Sequence, residues 1–187
     1  MLSSLVRTVD TLNERLGQAV SWLALFMVVV QFAVVLMRYV FGVGWIWVQE
    51  SIIYMHAIVF LIAAGYTLLH NGHVRVDIFY GGMGARGKAI VDLIGGLLFL
   101  LPMCVLVFWV SFPYVAKSWA VMEISQEGDS GIPGVYLLKS VILLFAVLVA
   151  LQGLALMARS LLTLNGAEPP AAYGADPKGD GAEEASV

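Results

Sequence analysis

Charged residues are scarce in this sequence. Of its 187 residues, 12% are charged and 60% are apolar. A typical soluble domain has about 25% charged residues, so the composition excludes an ordinary soluble protein. At this length the chain has room for one compact unit and not for a second domain. We expect no nucleic-acid partner and no cofactor.

Cysteine is almost absent, since Cys104 is the single one and lies within an apolar stretch. A disulfide within the chain is therefore excluded, and so is the redox chemistry of paired cysteines. A disulfide-generating membrane oxidase is ruled out for the same reason. Free cysteine is commonly a small buried apolar residue, and we interpret Cys104 in that way.

Long apolar stretches make up most of the chain. A transmembrane helix needs about 20 apolar residues to cross a hydrocarbon core of about 30 Å. Backbone amides in lipid must bond within their own segment, so these stretches must be helices. The sequence therefore predicts an all-α membrane protein with four transmembrane helices. The predicted spans are Ala19–Met37, Ile52–Leu69, Ile90–Val110 and Val141–Ala158.

The residues before the first span form an amphipathic pattern. Apolar residues recur at spacings of three and four from Leu2 to Leu16, with Arg7, Asp10 and Glu14 on other faces. We predict that residues 1–16 form an amphipathic helix lying in the membrane interface. A signal peptide is the competing interpretation. It fits less well, because the apolar stretch is long and no clean cleavage site follows it.

The other end of the chain has a different composition. Residues 165–187 contain three prolines, several glycines and alanines, and five acidic residues against Lys178 alone. This composition predicts a flexible, solvated, acidic tail. The predicted transmembrane unit is thus residues 17–164, with the interfacial helix before it and the tail after it.

Basic residues predict the orientation in the membrane. With both termini on the cytoplasmic side, seven basic residues lie inside and three lie outside, as the positive-inside rule expects. The inner ones are Arg7, Arg15, Arg75, Arg86, Lys88, Arg159 and Lys178, and the outer ones are Arg38, Lys117 and Lys139.

The junction between the first two spans carries opposite charges. Arg38 ends the first span and Glu50 opens the second, so the two side chains could form an ion pair near the outer boundary. Alternatively, Arg38 reaches the headgroups while Glu50 interacts with the start of its helix. Tyr39, Trp45 and Trp47 are typical of an aromatic belt.

Little polar chemistry lies inside the predicted spans. Gln31 and His56 are nearly the only polar residues near the middle. His70 and His73 are three residues apart, but no cysteine or second acidic cluster completes a metal site, and we predict none. Substrate sites of secondary transporters need clustered polar groups near the midplane. We therefore expect this chain to support another protein that holds the site.

Several segments resemble the small membrane subunits (DctQ type) of TRAP transporters, the tripartite ATP-independent periplasmic family. The resemblance covers about residues 15–162. It is carried by Arg38–Glu50, His73-Val74-Arg75-Val76-Asp77, Glu123-Ile124-Ser125, Gly131-Ile132-Pro133, Leu138-Lys139 and Leu151-Gln152-Gly153-Leu154.

The resemblance implies a non-catalytic scaffold in the bacterial inner membrane. A large DctM-type subunit would carry organic acids with Na⁺, in a heterodimer with this chain and in contact with membrane lipid. A periplasmic solute-binding protein would deliver the substrate. The loop from residue 123 to residue 133 would help to dock that protein, through Glu123, Ser125, Glu127, Asp129 and Pro133. No residue would bind substrate or metal.

Two other classes of membrane protein remain as alternatives. A haem- or quinone-binding anchor subunit of a respiratory enzyme is also a small helical bundle, but it needs histidines that face each other across helices. A small multidrug exporter could use Glu50 as its proton site. Such an exporter would act without other subunits.

Overall fold

The computed structural model describes residues 2–73 and 80–167, and within these ranges the chain is helical with no strand. Four helices are long and apolar enough to cross a membrane, which confirms the predicted all-α membrane fold. The predictions on Val74–Asp77 and on the tail from residue 168 lie outside the described residues. The helices are α1 (Leu2–Val40), α2 (Ile46–Leu69), α3 (Ala85–Ala120) and α4 (Val135–Leu164).

Helices that follow one another in the sequence run antiparallel, which gives the bundle two ends. Asn13 of α1 lies against Gly65 of α2, and Gly96 of α3 lies against Met157 of α4. We call the end that holds the start of α1 and the close of α4 the terminal end. The opposite end, with the connections at residues 41–45 and 121–134, is the far end.

Helix α1 is continuous from Leu2 to Val40, so the segment predicted as an interfacial helix runs without a break into the first span. Its 39 residues extend about 58 Å at 1.5 Å per residue, well beyond a hydrocarbon core of about 30 Å. Val6 and Val9 are buried against Ala155 and Ala158 of α4. The amphipathic pattern therefore reflects packing against another helix of the chain.

Helix α4 is the central element of the bundle. It contacts α1, α2 and α3, and its apolar part is the most buried of the four. Small residues let its neighbours approach, as the spacing of Ala146 and Gly153 predicts. Both are buried, and the side chain of Leu100 lies directly over Gly153.

Helix α3 widens into a π-helical turn over Gly96–Leu100, immediately before Pro102. Proline has no N–H to donate and its ring crowds the preceding turn of a helix. An expanded turn is one of the known ways in which a helix accommodates such a disturbance. The bend that Pro102 predicts therefore takes the form of one local widening in an otherwise continuous helix.

The crossing of α1 and α2 depends on glycine, and this gives a first prediction. A Cβ at Gly17 would clash with the ring base of Tyr66, whereas a Cβ at Gly95 of α3 would meet nothing within 4 Å. We expect Gly17→Ala to lower the free energy of unfolding by about 1–3 kcal/mol, as overpacking does. Gly95→Ala should raise it by up to about 1 kcal/mol. Thermal unfolding in detergent measures both, and equal effects would contradict this account of the crossing.

Candidate functional site

Glu50 of α2 fastens the connection between α3 and α4, which we call the far loop (residues 121–134). One carboxylate oxygen of Glu50 accepts a hydrogen bond from the Ser125 hydroxyl, and the other accepts one from the Ile132 amide at 2.7 Å. Ser125 is buried, and its hydroxyl also accepts the amide of Glu127 at 3.1 Å. The far loop is therefore held on both sides of its short 3-10 turn, Gly128–Ser130.

This arrangement replaces the predicted Arg38–Glu50 pair. The Arg38 guanidinium donates to the side-chain oxygen of Gln49 at 3.1 Å, while Glu50 is directed to the far loop. Adjacent residues on an α-helix point about 100° apart, so only one of Gln49 and Glu50 can face α1. Glu50 is also the fifth residue of α2. The helix dipole acts on a charge most strongly within the first turn of a helix. Glu50 lies beyond that turn.

A second set of polar contacts joins α3 to α4 beneath the far loop. The Glu123 carboxylate accepts hydrogen bonds from Lys139 Nζ at 2.5 Å and from the Ser118 hydroxyl at 2.6 Å. These two donors, Lys139 first, hold the pKa of Glu123 below its ordinary value. The Lys139 ammonium also lies 4.1 Å from the centre of the Tyr114 ring. Glu123 therefore connects α3 to α4 through hydrogen bonds and is also partly exposed on the far loop.

The predicted docking residues differ in their exposure. Glu127, Asp129 and Pro133 are exposed, whereas Ser125 is buried and Glu123 is half-buried. The aromatic residues predicted to form a belt also lie at this end. They are exposed by 81% (Tyr39), 51% (Trp45) and 56% (Trp47).

A cavity of about 580 Å³ lies under the far loop, between α2, α3 and α4. Its charged lining consists of Glu50, Glu123, Glu127 and Lys139, and the first two and Lys139 are bonded within the chain. The hydroxyl oxygen of Tyr54 is buried there and has no hydrogen-bond partner in the described part of the chain. Most of the charged groups that line the cavity are therefore already paired and do not offer a binding site for a charged solute.

The terminal end holds a buried polar cluster that the sequence did not reveal. The side-chain amide of Gln152 accepts from Asn13 Nδ2 at 2.8 Å and donates to Asp10 Oδ1 at 3.1 Å. The other carboxylate oxygen of Asp10 accepts from the Arg159 guanidinium. Asn13 is fully buried and Gln152 is 1% exposed. We call these four residues the terminal cluster.

The residue that follows α2, His70, contacts an acidic residue of α1 in the same region. His70 Nε2 lies 2.7 Å from one carboxylate oxygen of Glu14, and Gln18 donates to the other at 2.7 Å. Glu14 is 6% exposed. His70 is thus hydrogen-bonded, in line with the prediction, and Glu14 faces the bundle rather than solvent. Among residues 2–73 and 80–167, no three potential metal ligands form a group.

The terminal cluster left a signal in the spacing of its residues. Asp10, Asn13, Glu14 and Gly17 lie three or four residues apart on one face of α1. Gln152 and Arg159 are seven residues apart, hence on one face of α4. From the sequence, Asp10 and Glu14 were placed on faces other than the apolar one and these contacts were not identified, because an interfacial helix and a packed helix share the same periodicity.

Four membrane-crossing helices, connected by short loops and bonded through polar groups at both ends, define a small multi-pass membrane protein. Residues 27–163 match the family described as "Tripartite ATP-independent periplasmic transporters, DctQ component". The chain belongs to this family, and the predicted resemblance is confirmed. Searches of curated proteins and of solved structures gave no match.

Family membership makes the chain the small permease subunit of a TRAP transporter. It gives no support to the alternative of a haem- or quinone-binding anchor. Glu50, the far loop, Gln152 and Arg159 lie within the matched residues, whereas Asp10 and Asn13 of the terminal cluster precede them.

The attachment of the far loop gives a second prediction. Glu50→Gln retains the shape of the side chain but removes the charge that both donors share. We expect hydrogen exchange at the Ile132 amide to accelerate by about 10- to 100-fold, since hydrogen bonds to charged groups contribute about 1.5–3 kcal/mol. Asp129→Asn is the matched control, because Asp129 is an exposed acid of the same loop. Unchanged exchange in the Glu50 variant would show that the loop is held by other contacts.

The terminal cluster gives a third prediction. Arg159→Met leaves Asp10 buried without its cationic partner and should lower the free energy of unfolding by about 3–5 kcal/mol. Adding Asp10→Asn should recover part of this loss, because residues in direct contact are not additive. Arg7→Met is the control, since Arg7 is an exposed arginine on α1, the helix that carries Asp10. Denaturation in mixed micelles measures these three variants and the single change Asp10→Asn, and strict additivity would contradict a direct pair.

Proposed function

We propose that this chain is the non-catalytic scaffold of a Na⁺-coupled, binding-protein-dependent transporter for organic acids. The observation that carries the proposal is the distribution of charge. The buried acids Asp10 and Glu14 are bonded within the chain at the terminal end, and Glu50 and Glu123 are bonded at the far end. Coordination of a charged solute needs several free polar groups clustered near the midplane, where this chain has little beyond Gln31 and His56. The large DctM-type subunit would supply them.

The proposed orientation sets the terminal end in the cytoplasm and the far end in the periplasm, in a bacterial inner membrane. The distribution of basic residues supports it, because Arg7, Arg15, Arg86 and Arg159 all belong to the terminal end. The far loop would then face the periplasmic solute-binding protein.

The far loop is the proposed docking surface for that protein. Its exposed acids, Glu127 and Asp129, lie beside Pro133 on a segment whose shape is fixed by Glu50. A surface that is ordered before contact loses less conformational entropy on binding than a mobile one. The acids would also complement a basic patch on the binding protein and steer its approach.

Reconstitution tests this function. We expect Na⁺-driven uptake of an organic acid only when this chain, the large subunit and the binding protein are all present. The isolated chain should copurify with the large subunit after coexpression and transport nothing by itself. Na⁺-driven uptake by the isolated chain would contradict the scaffold function, and drug resistance conferred by it alone would favour the exporter alternative.

Charge reversal isolates the docking step in the same assay. Glu127→Lys with Asp129→Lys should lower uptake at limiting binding protein by about tenfold or more at low salt, with less effect at high salt. Arg86→Glu is the control, because Arg86 is exposed at the opposite end. Copurification of the large subunit should be unchanged in both variants.

A further inference from the structure

Gln31 and His56 lie together in an open groove between α1 and α2. They line a cavity of about 440 Å³ with the apolar side chains of Met27, Val28, Ile52 and Ile53. His56 is the eleventh of the 24 residues of α2 and is therefore near the middle of that span. Both polar side chains are exposed on the surface of the chain.

Neither side chain finds a hydrogen-bond partner among the described residues. No hydrogen bond joins Gln31 or His56 to another side chain in the part of the protein that the structure describes. The one ring contact of His56 is a stack on Phe60, with ring centres 6.3 Å apart. Hydrocarbon offers no hydrogen-bond partner, so a lipid acyl chain over this groove would leave an amide and an imidazole unpaired at membrane depth.

The two residues continue a pattern that begins at the far end of the groove. Arg38 bonds Gln49 there. Gln31 is seven residues before Arg38, and His56 is seven residues after Gln49. Seven residues are about two helical turns, so both pairs lie on the same face, about 10 Å apart along the helices. We call Arg38, Gln49, Gln31 and His56 the groove stripe.

The same spacing continues deeper with small residues. Two further turns along each helix lie Ala24 and Ala63, and both are half-buried. Small side chains let the backbone of another helix approach closely in a membrane, where tight packing and interhelical hydrogen bonds drive association. A helix lying along this face would therefore meet polar partners at Gln31 and His56 and could approach closely at Ala24 and Ala63.

We propose that a transmembrane helix of the large subunit covers this groove and brings a hydrogen-bonding side chain opposite Gln31 and His56. The proposal rests on the scaffold function above, which requires such a subunit beside this chain. The complementary helix would carry a serine, threonine, asparagine or glutamine at the depth of His56. These are the side chains that bond across helices in membranes.

A second copy of this chain fits the groove less well. Two copies related by an axis along the membrane normal would present the same patch to each other. Their grooves would then face each other, concave against concave. The two Arg38 guanidiniums would also meet at the same depth, where like charges repel.

Photo-crosslinking in the assembled transporter tests the proposal. A benzophenone amino acid at Val28 or Ile53, both about 60% exposed in the groove, should crosslink to the large subunit. The same probe at Trp109 of α3 is the reference, because this residue is 78% exposed and lies outside the groove. Its crosslinking yield with the large subunit is compared with the yields at the two groove positions. Groove yields no higher than that reference, or adducts with a second copy or with lipid alone, would overturn the proposal.

Substitution tests the hydrogen bonds themselves. Gln31→Leu and His56→Leu should each weaken association with the large subunit by about 3- to 20-fold, the range expected for interhelical hydrogen bonds in membranes. Neither residue bonds another described side chain, so the amount of folded chain expressed alone should not change. His56→Gln should recover association, because it restores a hydrogen-bonding group.

The outcomes separate this proposal from the function on which it rests. If the unmodified chain fails to copurify with the large subunit, the scaffold function itself is wrong. If it copurifies and both leucine variants associate equally well, the scaffold function stands and the groove is not the interface.

Discussion

Polar side chains among apolar helices must be given partners by the protein, because the surrounding hydrocarbon supplies none. Gln152 shows how strongly this requirement determines the bundle. It is 1% exposed on the central helix α4, and its amide both accepts from Asn13 and donates to Asp10. A rotation of α1 by one residue would turn both partners away by about 100°. One glutamine therefore fixes the register between the first and the last helix.

Polar contacts at the two ends of the bundle hold the four helices together. At the terminal end, Arg159 and His70 join α4 and α2 to acids of α1. At the far end, Glu50 and Lys139 join α2 and α4 to the connection that follows α3. Between the ends, small residues such as Gly153 let the helices approach closely, and Leu68, Cys104 and Val149 form an apolar core. This double attachment fits the proposed scaffold function, because it holds the four helices in place beside the large subunit.

The sequence predicted the elements well and their pairing poorly. The four spans follow from apolar runs, since a helix of about 20 such residues has few alternatives in lipid. The partner of Arg38 did not follow, because Gln49 and Glu50 are adjacent and only the rotation of α2 decides between them. The burial of Val6 and Asp10 did not follow either, because an amphipathic pattern fits a membrane interface as well as it fits a packed helix. Periodicity identifies the face of a helix that is covered but does not say what covers it.

Two glutamines in apolar helices illustrate the difference between an interior and an interface. Gln152 is buried and doubly bonded, whereas Gln31 is exposed and has no side-chain bond to another described residue. Both would be costly in hydrocarbon, so the first had to be satisfied by the folding of this chain and the second by assembly. Gln31, Arg38, Gln49 and His56 all fall within residues 27–163, the part that matches the family. Gln31 and His56, which bond no other described side chain, thus lie in the segment that makes the chain a component of a larger transporter.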